Sequence, residues 1–73
     1  MRYYTFNEQH LVDGFYSRVT ASEEAILAHY FSYWAGAMAK AGKEDLITQE
    51  NCIEDWCVVN WAWETDKYGD KLR

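Results

Sequence analysis

The chain has 73 residues, 49% of them hydrophobic, 18% aromatic and 26% charged, with no proline. One small domain over residues 1–73 is expected, and the aromatic and aliphatic content excludes a disordered chain. Twelve Asp plus Glu against seven Lys plus Arg leave a net charge of −5, so phosphate backbones are repelled and no direct nucleic-acid binding is expected.

The opening run Met1-Arg2-Tyr3-Tyr4-Thr5-Phe6-Asn7-Glu8 turns polar too early for the apolar core of a secretory signal. Residues 1–5 read as an extended arm with the aromatic and β-branched character of a short strand. Thr5, with Glu8 three residues on, fits a capping box, and Asn7 competes with it as the cap of a first helix. Leu11, Phe15 and Val19 recur at intervals of four and would form its apolar stripe. Gly14 weakens that helix by roughly 1 kcal/mol relative to alanine.

The strongest predicted element is a central helix from Ser22 to Ala41. Thr20 or Ser22 supplies a capping hydroxyl, and Glu23 and Glu24 put negative charge on the positive end of the dipole. Lys40 lies in the last turn and Gly42 is the left-handed stop. Ile26, Tyr30, Tyr33, Trp34 and Ala37 share one face, flanked by Leu27, Phe31, Met38 and Ala41. The opposite side carries Ala25 and the small residues Ala28, Ser32, Ala35, Gly36 and Ala39, with no charge. A helix uncharged all round is expected at the centre of an assembly. The small residues would let a second helix approach closely, so a homodimer through Ala28, Ser32, Ala35, Gly36 and Ala39 is expected. A foreign surface on that side and plain exposure of alanines are the alternatives.

Thr48 is the next N-cap, opening a helix from about Gln49 to Trp61 on which Ile53, Trp56, Cys57, Asn60 and Trp61 share a face. The competing reading makes Trp56–Trp63 a strand paired with Tyr3–Phe6. Residues 65–73 are polar and read as a frayed tail. The longest uncharged run, Ala25–Ala39, has 15 residues and falls short of the roughly 20 that span a bilayer, so no membrane segment is expected. The expected fold is mainly α, with about three helices around the Ser22–Ala41 helix and a short terminal β pair as an option. An α+β fold is the alternative.

Candidate chemistry is sparse. Cys52 and Cys57 are too few for a disulfide scaffold, and on a helix they stand about 140° apart, which suits two reduced thiols in a cytoplasmic protein. Cys52, Cys57, His10 and His29 lack zinc-site spacing. Cys57 with His29 has no third orienting group, and His10 with Asp13 is an ordinary surface pairing. The glycines at 14, 36, 42 and 69 are isolated, so no phosphate loop exists. No catalytic residue, metal or cofactor is expected, and the chain reads as a non-enzyme.

Two patterns point to binding. Glu44, Asp45, Glu50, Glu54, Asp55, Glu64 and Asp66 make a −7 balance over 23 residues free of Lys and Arg. Such a segment steers a basic partner or mimics DNA phosphates, and plain solvation is its bland alternative. Four tryptophans stand in the chain. Trp34, Trp56 and Trp61 fit a core, whereas Trp63, Tyr3 and Tyr4 are candidates for surface anchors. The expected partner-binding set is therefore Tyr3, Tyr4, Trp63, Glu50, Glu54, Asp55 and Glu64.

The segment Cys52-Ile53-Glu54-Asp55-Trp56-Cys57-Val58-Val59-Asn60-Trp61-Ala62-Trp63, within so small and acidic a chain, resembles the aromatic-rich accessory proteins encoded by bacteriophages. The resemblance is of type, and it carries no functional residue across. It implies a protein that binds and blocks a host enzyme or defence complex in the host cytoplasm. The expected function is a non-enzymatic binding module acting on a host protein with a basic surface. A DNA-mimic inhibitor of a nucleic-acid-binding enzyme and a structural or assembly protein are the alternatives.

Overall fold

Aromatic and β-branched side chains fit a pleated, half-buried surface, and the first third of the chain is rich in both. In the computed structural model, which describes residues 1–9 and 16–72, these residues form two long strands, β1 (Tyr3–Gln9) and β2 (Tyr16–Ser22). They pair antiparallel in unbroken register from Tyr3 opposite Ser22 to Gln9 opposite Tyr16. A third strand, β3 (Trp63–Thr65), pairs antiparallel with the other edge of β1 and completes a sheet of order β2-β1-β3. Two helices, α1 (Glu23–Lys40) and α2 (Gln49–Asn60), lie between β2 and β3 in sequence, joined through a 3-10 turn at Glu44–Leu46.

The fold is thus α+β, with two helices and a three-stranded antiparallel sheet among the described residues, and the mainly α expectation is corrected. The first helix is where it failed. Thr5 is mid-strand and not a cap, and Val19 belongs to β2 opposite Phe6. A spacing of four satisfies a helical stripe, but seven paired residues on each strand satisfy the backbone instead. Leu11, Gly14 and Phe15, and the His10–Asp13 pair, lie outside the described residues. Residues read as an extended arm supply the central strand. The tail read as frayed from residue 65 opens with Thr65, which is buried in the sheet.

Local signals do place both helices. The Ser22 hydroxyl accepts from the Ala25 N–H at 3.1 Å and the Thr48 hydroxyl from the Asn51 N–H at 3.0 Å, each relieving an orphan donor of the first turn. Gly42, at φ 75°, sits just past the end of α1 in the left-handed region. Tyr4, Ile26 and Ile53 form the core cluster between sheet and helices, with Ala21, Leu27, Trp56, Cys57 and Ala62 against it. Phe6 meets Trp56 edge-on, with ring centroids 5.2 Å apart. On α1 the buried stripe runs through Ile26 and Trp34, with Leu27, Tyr30, Phe31 and Met38 half-buried. Tyr33 and Ala37, assigned to the core face from the wheel, point out.

The other face of the sheet is closed by the chain's last turn. Thr5, opposite Thr20 on β2 and beside Thr65 on β3, is fully buried there. Gly69, at φ 81°, lies directly over this threonine row. The whole is a slab of 39 × 33 × 17 Å with a Cα radius of gyration of 13.7 Å. A compact chain of this length would have about 11 Å.

Candidate functional site

One side of α2, from Glu50 to Val58, and the start of β3 border an open groove of about 390 Å³ that includes Ala62 between them. Its floor is apolar, formed by Tyr4 of β1, Ile53 and Cys57 of α2, and Ala62, with the exposed Val58 at its edge. Its rim carries three carboxylates, Glu50 and Glu54 one turn apart on α2 and Glu64 on β3. The register explains Glu64. It stands opposite Tyr4, whose side chain points to the helix side, so Glu64 shares that side.

Glu50 is already paired. The Arg2 guanidinium donates to both of its oxygens, at 3.2 and 2.8 Å, and through Nε to Glu23 at 2.7 Å. Its hydrogen bonds to Glu50 first, and then to Glu23, hold the Arg2 guanidinium more firmly charged than usual. In return, the Arg2 hydrogen bond and charge hold the Glu50 carboxyl below its ordinary value. Among the described residues no cation lies within ion-pair distance of Glu54 or Glu64.

The thiols are poor nucleophiles. Burial raises Cys52, with the Asp55 charge adding to it, and burial raises Cys57, with Glu64 adding and Arg2 opposing. Near neutral pH both remain protonated. They are free, Cys52 wholly buried and Cys57 at the groove floor. Among the described residues no three His, Cys, Asp or Glu side chains converge to hold a metal ion. None of the described helices is long and apolar enough to cross a membrane.

Of the expected partner-binding residues, the fold brings Glu50, Glu54 and Glu64 to one groove, with Tyr4 in its floor. Tyr4 is only 6% exposed and serves the core, so a surface-anchor role does not suit it. Burial raises its phenol first, with Arg2 opposing and Glu64 adding. Tyr3 is half-buried on the opposite face of the sheet, beside Thr65. Trp63 also lies on that face, with the Arg18 guanidinium 5.8 Å from its ring centroid. Asp55 lines a second hollow with Trp34, Met38, Lys43 and Leu46. Glu44 and Asp45 sit on the 3-10 turn, and the Asp66 carboxylate accepts from the Tyr68 and Asp70 amides within its own turn. The seven acids are therefore dispersed over several surfaces. Of the self-association stripe, Ala28, Ser32, Gly36 and Ala39 are exposed and Ala35 is half-buried.

Trp61 is the main correction among the tryptophans. Expected in the core, it is 86% exposed. It caps α2 in the left-handed region at φ 54°, which swings its side chain off the helical face shared by Ile53 and Cys57. Val58 and Val59 beside it are 69% and 62% exposed. No sequence signal marks this, because a left-handed cap is ordinarily a glycine or asparagine.

A small antiparallel sheet with two helices on one face, carrying an acid-rimmed apolar groove, is what the fold and site define. No protein-family model, curated protein or solved structure matches the chain.

Proposed function

We propose that this is a non-enzymatic protein-binding module that inhibits or modulates a host protein, docking through the end of α2 and the adjoining groove. The observation that carries this reading is Trp61. A bulky aromatic held at positive φ costs about 1 kcal/mol or more of backbone strain, and this one recovers nothing by packing on its own fold. Such a residue is best accounted for by contacts made outside the monomer, where tryptophans dominate binding energy. Val58 and Val59 extend the same apolar surface to the groove.

The test is affinity capture from a bacterial lysate with the native chain and with Trp61→Gly. Glycine relieves the left-handed strain, so the variant is expected to melt at a higher temperature by the equivalent of about 1 kcal/mol while losing its captured protein. A more stable variant that still captures the same protein removes Trp61 from the interface and the reading with it.

A further inference from the structure

Whatever covers the groove must deal with Glu54 and Glu64. Both are on its rim, and neither has a cation within ion-pair distance among the described residues. A purely apolar partner would strip water from two carboxylates and leave them unpaired, and an acidic or phosphate-bearing one would add repulsion. Arg2 cannot serve, because it is held between Glu23 and Glu50, and Lys43, which shares the second hollow with Glu54, makes no ion pair with it. The floor, by contrast, is apolar: Tyr4, Ile53, Cys57 and Ala62. An apolar trough ending in carboxylates matches a long side chain with an aliphatic stem and a cationic head. Arg2 shows the favoured geometry at the same rim, its planar fork on both oxygens of Glu50. Glu64 faces this space, since its charge raises both the Tyr4 phenol and the Cys57 thiol.

We propose that the groove between α2 and β3 is a receptor for an arginine side chain of the protein partner, the stem lying on Tyr4, Ile53, Cys57 and Ala62 and the guanidinium meeting Glu54 and Glu64. The inference rests on the protein-binding reading and adds the chemistry of the partner.

The probe is Nα-acetyl-arginine N-methylamide, titrated into the protein while backbone amide resonances are followed by NMR. Saturable shifts at Cys57, Val58, Ala62 and Glu64 are expected. They should be weakened about tenfold or more in the Glu54→Gln/Glu64→Gln double variant, the loss of roughly one charge-assisted hydrogen bond. The citrulline analogue has the same shape without the charge and controls for any change in the double variant's fold; it should produce no saturable shift. Equal binding of arginine and citrulline amides, an undiminished affinity in the double variant, or no saturation at these amides overturns the proposal. Trp61-dependent capture with no arginine binding sinks this inference and leaves the binding-module reading standing. Saturable arginine binding with Trp61-independent capture does the reverse.

Discussion

Three hydroxyls on the closed face of the sheet form a chain whose direction can be worked out. Thr65 Oγ1 donates to the Asp66 carbonyl at 2.9 Å, which uses its one proton. At 2.8 Å from it, Thr5 Oγ1 must therefore donate to Thr65, and Thr20 Oγ1, 2.9 Å from Thr5, must donate to Thr5. Each proton is committed, so neither of the two buried side chains, Thr5 and Thr65, can rotate away without breaking a hydrogen bond inside the sheet. Gly69 lies on top of them. A Cβ there would stand 2.8 Å from Thr20 Oγ1 and 3.4 Å from Thr5 Oγ1, on a backbone at φ 81°. Gly69→Ala is expected to lower stability by about 1–3 kcal/mol in urea or thermal unfolding. Gly36 supplies the opposite sign. It is helical, and a Cβ there meets nothing within 4 Å, so Gly36→Ala should raise stability by about 0.5–1 kcal/mol. Equal effects of the two substitutions would contradict this account of the threonine row.

Among the elements, Arg2 is the tie that sequence distance conceals. It precedes β1, bonds Glu23 in the first turn of α1, and bonds Glu50 in the first turn of α2, 48 residues away. The Glu50 carboxyl is depressed from its ordinary 4.5 by that contact, so the pair's contribution to stability is present above 4.5 and fades as the pH falls through the depressed value. Melting temperature followed from about pH 6 to pH 3 should drop more steeply for the native chain than for Glu50→Gln, which has no such proton to gain. Parallel curves would mean that the tie contributes nothing in solution. The helices were legible in sequence because their signals are local: Ser22, Thr48 and Gly42 each act on backbone within a few residues. The β1–β2 hairpin was not. Its stabilisation comes from pairing across the chain, and the recurrence of Leu11, Phe15 and Val19 reads as a helical stripe although Val19 lies in β2. Of the candidate site, Glu50, Glu54 and Glu64 were visible as acids. Arg2, Ala62 and the outward Trp61 were not, because long-range ion pairs, the approach of β3 to α2 and a left-handed cap place them.

The molecule is thin, with helices covering one face of the sheet and, among the described residues, a turn on the other, so much of α1 faces outward. Its outward side holds Ala28, Ser32, Gly36 and Ala39 and no Asp, Glu, Lys or Arg from Ala25 to Ala39. For a chain of net charge −5, an uncharged face is where two copies meet with least repulsion. If the homodimer reading holds, light scattering of the native chain gives twice the 8.6 kDa mass, and Ala35→Glu halves it by placing a charge at the contact. A native monomer whose Ala35→Glu variant keeps its melting temperature would discard that reading.

The order of residues by itself determined the caps at Ser22 and Thr48, the bounds of α1 and α2 and the sign of the charge, since these depend on near neighbours and on composition; the Thr5 cap and first helix it also suggested gave way to strand pairing. Only the tertiary structure decided that Tyr3–Gln9 would be a central strand, that Trp61 would face solvent and that Glu54 and Glu64 would border one apolar trough. Those outcomes depend on which distant strands share backbone hydrogen bonds, and a one-residue change of register would send every side chain to the opposite face.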